Sequence, residues 1–259
     1  MMSDQILRKD DGFISTIFFN RQAKKNALDA DSLFDFGDAV RDIEKEGKAR
    51  VIVLRGSGNK VFSSGVDLSG GSSEFNRTIE GLGYSIDNLK ACSLPVISMI
   101  YGYAIGAGLD FSVISDFRIA SYDAFFGAPL VKLGRTYYYS AIERLVKLVG
   151  LATAKEMLLT GNLMDASRAF EKGLVHHVYS CSDLELNVYQ LARQIAEDAA
   201  PIAVRVTKKT IKKLFEDSRM DPDLGKELHE MVSLANRSQD ATEGIRAKLE
   251  KRKPVFTGK

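Results

Sequence analysis

Along the first two thirds of the chain, short apolar runs alternate with stretches whose apolar positions recur every three or four residues. Phe13–Phe19 reads as a strand that closes into the polar segment 20–26. Ala30–Glu46 puts Leu33, Phe36, Val40 and Ile43 on one face, the period of an amphipathic helix. Val51–Leu54, stopped by Gly56 and Gly58, and Leu94–Tyr101, entered through Pro95 and stopped at Gly102, are mainly apolar. Such runs suit strands covered on both faces, and their placement between helices predicts a parallel sheet. A helix is expected to follow from about Ala107.

From about Asp165 the pattern turns helical. Ser182–Glu185 has the spacing of a capping box, followed by Leu184, Val188, Leu191 and Ile195 on one face. Pro201 suits a helix start, with Val204, Ile211, Leu214 and Phe215 as the apolar stripe. Arg205, Lys208, Lys209, Lys212 and Lys213 form the opposite face, which reads first as a solvated surface. Asp221-Pro222 opens another helix through Leu224, Leu228, Met231 and Ala235. Asp240–Glu243 resembles a capping box starting the last helix, which ends before Pro254. Ser69–Ser73, with Gly70 and Gly71, reads as a loop. The expected organisation is an α/β core over 1–195 and a helical oligomerisation region over 196–259.

Composition narrows the chemistry. The 36 Lys and Arg against 34 Asp and Glu leave a net charge of +2, so any polyanion site is local rather than global. Two distant cysteines, Cys92 and Cys181, make no disulfide framework. Three histidines and no Cys-x-x-Cys give a zinc site almost nothing to use, and His176–His177 read as strand or loop residues after Gly173. The N-terminus carries acids without an apolar h-region, and no uncharged apolar run reaches the roughly 20 residues of a bilayer span. The expectation is a soluble cytoplasmic protein.

Two glycine-rich turns fail as nucleotide motifs. Gly56-Ser-Gly-Asn-Lys60 lacks the Gly before Lys and the Ser/Thr after it that a P-loop needs. Gly106-Ala-Gly108 has Phe111 at the third glycine position of a dinucleotide fingerprint. The second turn still presents free amides at a helix start, attractive to developing negative charge, with Asp110 in the first turn. That acid reads equally as a balance for the helix dipole. In Phe62–Leu68, Gly65 permits a sharp turn that would expose the Val66 N–H. Ser63 and Ser64 lack a nucleophile elbow.

Taken together, Asn20–Leu28, FSSGVDL (Phe62–Leu68), GYAIGAGLDF (Gly102–Phe111), SDFRIAS (Ser115–Ser121), FFGAP (Phe125–Pro129), Gly173–Val175 and Glu243–Phe256 resemble the crotonase, or enoyl-CoA hydratase/isomerase, family in order. The resemblance implies an α/β spiral of ββα units with a helical C-terminal trimerisation region, assembled as a trimer or a dimer of trimers. It implies an acyl-CoA thioester substrate, with coenzyme A arriving as part of it and no metal or redox cofactor. By position, the amides of Val66 and Ala107 would form an oxyanion hole for a thioester enolate, and Asp110 would be the titrating group. Lys24, Lys25, Ala27, Ser64, Asp67 and Leu68 would contact CoA, as would Lys251 and Phe256 in the tail.

The departures from the family pattern matter as much. Hydratases of this family carry two glutamates; the first falls on Asp110 and the second on Leu130, which cannot titrate. One carboxylate would then act as both base and acid, and losing one such group typically costs about 10²–10⁴ in rate. Isomerisation is therefore expected over two-glutamate hydration, although isomerases of the family often keep their carboxylate where Leu130 stands. Arg135, Tyr137, Tyr138 and Tyr139 are candidates for the acid or carboxylate contact that Leu130 lacks; aromatic space filling is the plainer reading. Decarboxylation or hydrolysis of an acyl-CoA stays open, as does a CoA- or RNA-binding protein without catalysis that uses the basic helix.

Overall fold

The computed structural model describes residues 4–69, 72–199, 201–216, 237–252 and 254. The expected helix over Asp221–Ala235 and the tail residue Phe256 lie outside them.

Strands β1 (Ile6–Asp11), β2 (Ile14–Phe19), β3 (Val51–Gly56), β4 (Val96–Ile100), β6 (Phe117–Ser121) and β9 (His177–Tyr179) form one sheet in the order β1-β2-β3-β4-β6-β9. Only β1 and β2 run antiparallel; the other neighbours are parallel, as the apolar runs predict. Strand β3 is buried along its whole length and shows why. Its alternate side chains serve two cores: Ile52 and Leu54 face one, Val51 and Val53 the other.

The first core holds Phe19, Phe36, Phe62 and Phe111, with the Phe36 and Phe111 ring centroids 5.0 Å apart in an edge contact. Over it lie α1 (Ala30–Glu46) and α2 (Ser72–Ala91). Helix α1 has the predicted bounds because both ends are marked: Asp29 accepts from the Ser32 amide, and Gly47 closes the helix at φ 67°. The second core is covered by α6 (Leu184–Glu197) through Leu184, Val188, Ala192 and Ala196.

A smaller sheet, not foreseen, joins β5 (Tyr103–Ile105) to β7 (Phe125–Gly127) in parallel and β7 to β8 (Met164–Asp165) antiparallel. From it spring α3 (Ala107–Ile114) and, after a 3₁₀ turn over Pro129–Leu133, α4 (Tyr139–Thr160), which is broken at Gly150. The short α5 (Ala166–Glu171) leads into β9. The His pair lies there, the His176 Nδ1 accepting from the Arg118 amide at 3.2 Å.

Three tail features differ from expectation. Ser182 does not cap α6, because the Ser180 hydroxyl engages both Ser182 and Asp183, and Asp183 occupies the cap without a side-chain bond. The last helix, α8 (Gln239–Leu249), is capped by Ser238, so Asp240 falls inside it and Glu243 pairs with Arg252. Between them α7 (Pro201–Glu216) begins at Pro201, but its lysines are not simply solvated. Lys208 Nζ donates to the Leu94 carbonyl and to Asp116, both at 2.7 Å, and Lys212 Nζ to the Lys90 carbonyl at 2.8 Å.

Candidate active site

The two turns separated in sequence are laid side by side by backbone pairing. The Phe62 amide donates to the Tyr101 carbonyl, the Ser63 amide to Tyr103, and the Ile105 amide to Ser63, all within 3.0 Å. One step further, Gly65 (φ 92°) packs against Gly106 (φ 58°). A Cβ on Gly65 would sit 2.9 Å from the Ile105 oxygen and 3.4 Å from the Ala107 nitrogen, so only glycine fits.

Each turn then presents one free amide. The Leu28 amide donates to Gly65 and the Asp67 amide to Leu28, which clamps the residues either side of Val66. Because alternate residues of an extended segment point opposite ways, the Val66 N–H faces away from that bridge. The Ala107 N–H opens α3, where the first turn has no partner inside the helix. Among the described residues neither amide has an acceptor. The Gly106 carbonyl, the other end of the Ala107 peptide, accepts from the Asp110 amide and from the Tyr137 hydroxyl at 2.5 Å.

Both amides border a cavity of about 110 Å³ whose lining also includes Ser64, Leu68, Phe75, Asp110, Leu130, Leu133, Arg135, Tyr137, Tyr138, Ala141 and Lys248. That is somewhat smaller than an engineered cavity of about 150 Å³ that admits benzene, so a short acyl group fits.

Asp110 is 5% exposed, and Arg144 of α4 grips it. Arg144 Nε and Nη2 reach Oδ1 at 3.0 and 2.9 Å, and Nη2 reaches Oδ2 at 2.7 Å. Burial raises the Asp110 carboxyl above its ordinary range, against the opposing pull of Arg144. Burial likewise drives the Tyr137 phenol well above 10, so it is a fixed donor at neutral pH. Arg135 places its guanidinium over the Phe75 ring, 4.1 Å from its centre, and among the described residues its buried Nε has no hydrogen-bond partner. Leu130 contributes an apolar wall.

The candidates for CoA contact divide. Ser64 and Leu68 line the cavity; Ala27 and Lys25 are not in its lining, although the Lys25 carbonyl accepts from the Ser64 amide at 3.1 Å. Lys24 pairs with Asp67 at 3.1 Å, and Arg21 meets the same carboxylate, so this acid organises the loop. Burial alone would raise the Asp67 carboxyl, but Ser69, Lys24 and Arg21 hold it well below its usual range. Tyr139 is the first residue of α4, and Lys251 follows α8; neither lines the cavity. Arg144 and Lys248 were not anticipated. Arg144 stands 34 positions after Asp110, on α4, and no local pattern marks either cation. Among the described residues no cluster of three His, Cys, Asp or Glu could hold a metal.

A model of the enoyl-CoA hydratase/isomerase family matches residues 10–259. The chain belongs to that family. Its relatives include a probable mitochondrial enoyl-CoA hydratase of Arabidopsis thaliana, 33% identical over 97% of this chain and 84% of that one. Methylmalonyl-CoA decarboxylase of Escherichia coli is 33% identical over 95% of each chain. A solved structure of methylmalonyl-CoA decarboxylase superposes with TM-score 0.90 at 30% identity, covering 100% of both chains. The crotonase-type α/β architecture expected from the motifs is therefore present, and the chain is an acyl-CoA enzyme of the hydratase/isomerase type. No described helix is long and apolar enough to cross a membrane.

Proposed function

We propose that this enzyme carries out chemistry needing no free carboxylate base: loss of CO₂ from a short malonyl-type acyl-CoA, through a thioester enolate held by the Val66 and Ala107 amides. The observation that carries this reading is the Arg144–Asp110 pair. Isomerisation and hydration both need a group that takes a proton from carbon or water, and among the described residues the only carboxylate lining the cavity is held two-pronged by a guanidinium. Decarboxylation asks for less. The bond between the α-carbon and its carboxylate breaks, the electron pair enters the thioester as an enolate, CO₂ leaves, and the α-carbon then takes a proton from water, whose hydroxide CO₂ takes up as bicarbonate. Two preorganised amides suffice for the charged intermediate, each such donor being typically worth about 2.7–4 kcal/mol.

The structural similarity to methylmalonyl-CoA decarboxylase, with TM-score 0.90, supports this reading over the isomerisation expected from sequence. Malonyl- and methylmalonyl-CoA, crotonyl-CoA and a 3-enoyl-CoA would be offered to the purified enzyme and products followed by mass spectrometry. Acetyl- or propionyl-CoA should appear with the highest kcat/KM. Faster turnover of crotonyl-CoA or the 3-enoyl-CoA would overturn the proposal.

A further inference from the structure

We infer that Arg135 is a carboxylate receptor that selects acyl-CoA substrates carrying an acid group on the acyl chain. The inference rests on the reading of this cavity as the acyl pocket and deepens it by naming what reads the substrate's charge. Arg135 lines the same cavity as the Val66 and Ala107 amides. Its guanidinium lies over the Phe75 ring, 4.1 Å from the ring centroid, and among the described residues its buried Nε has no acceptor. A half-buried cation without a counter-ion is unfavourable, and the surroundings lower its hold on the proton accordingly.

Among the described residues the pocket offers it no internal partner: Asp110 is the only acid in that lining and is already engaged by Arg144. Leu130, Leu133 and Tyr138 bring no negative charge, and Lys248 adds a second cation to the lining. Among the described residues the lining therefore carries more positive than negative charge, together with a planar guanidinium whose buried Nε lacks an acceptor. That is the chemistry that recognises a carboxylate in two-pronged fashion. The anion is placed on the acyl group rather than on CoA because about 110 Å³ admits a short acyl chain and not a nucleotide diphosphate. Since CO₂ carries no charge, the contact is lost as the proposed reaction proceeds. Arg135 then tightens the substrate more than the enolate, and binding is where its effect is read.

The test uses inert ligands, so it does not depend on turnover. Thioether 2-carboxypropyl-CoA and isobutyl-CoA differ only by a carboxylate in place of a methyl group. With no Trp in the chain, affinities are measured by isothermal titration calorimetry on wild type, Arg135→Met and Arg135→Lys. Wild type should favour the carboxylated ligand by at least about tenfold, in line with a hydrogen bond between charged groups. Arg135→Met should bring that ratio to about 1, and Arg135→Lys should fall between. A wild-type ratio near 1, or one that Arg135→Met leaves intact, would overturn the inference while leaving the acyl-CoA reading in place. Equal weakening of both ligands and of free CoA in Arg135→Met would assign the arginine to a CoA phosphate and overturn it too. Failure of wild type to bind any CoA ligand would sink both readings. If Arg135→Met does not fold, the wild-type ratio and Arg135→Lys decide.

Discussion

Asp110 and Arg144 show how two residues define the chemistry of a pocket by neutralising each other. Side chains 6% and 16% exposed hold a pair that neither could leave without stranding a charge. Removing one partner of such a buried pair typically costs about 3–5 kcal/mol, whereas replacing both with apolar groups is often neutral. Arg144→Met should therefore lower unfolding stability by about that amount at neutral pH, and Asp110→Leu/Arg144→Met should recover most of it. The pH dependence has a definite sign. Burial already raises the folded-state pKa of Asp110, and loss of Arg144 raises it further. A carboxyl raised in the folded state binds a proton that the unfolded chain has released, so stability falls as pH rises through the interval between the two pKa values. The deficit of Arg144→Met should be largest near about pH 7 and shrink as pH falls toward the ordinary carboxylate value of about 4. Urea titrations of the three proteins across that range decide it; a deficit independent of pH would mean that Asp110 is not the stranded group.

At the scale of elements, the site depends on the approach to α4 being tied to the start of α3. The Gly106 carbonyl and the Ala107 N–H belong to one trans peptide, so they point in opposite directions. Tyr137 donates to that carbonyl from 31 positions away and so holds the Ala107 N–H toward the cavity. Tyr137→Phe should lower kcat by about tenfold with a smaller effect on KM, a fraction of the 10²–10³ that deleting an oxyanion donor typically costs. Steady-state kinetics on the best acyl-CoA substrate check this, and a rise in KM alone would mean that Tyr137 contacts substrate instead. The sequence could not show this coupling. The tyrosines of 137–139 have no period that separates the inward phenol from the one that opens the helix. By contrast the Gly65 and Gly106 turns were legible, because both need positive φ and Gly65 also makes a close approach that only glycine tolerates.

For the whole molecule, legibility followed how far each signal extends along the chain. The parallel sheet was readable because β3 and β4 are apolar on both faces, and α1 because its stripe and caps agree. The β5–β7–β8 sheet was not, since strands of two or three residues carry no period. Arg144 was hidden because its pairing is tertiary. The basic face of α7 misleads in the opposite direction: as a sequence it reads as a solvated surface, with polyanion binding the alternative, but in the fold Lys208 and Lys212 fasten α7 to the core. Lys208 bonds to Asp116, whose other contact is the Val96 amide at the start of β4, and Lys212 reaches the end of α2. With net charge only +2, little remains to gather a phosphate backbone. The affinity for single-stranded RNA should accordingly be weak, with log K against log salt sloping less than about two phosphates' worth. Changing Lys208 to Ala should instead lower stability by about 1–2 kcal/mol, because a charged donor to two acceptors is lost at a partly exposed site. A steep salt dependence that Lys208→Ala and Lys212→Ala abolish would reverse this assignment, making the basic face of α7 a binding surface and its contacts to the core incidental.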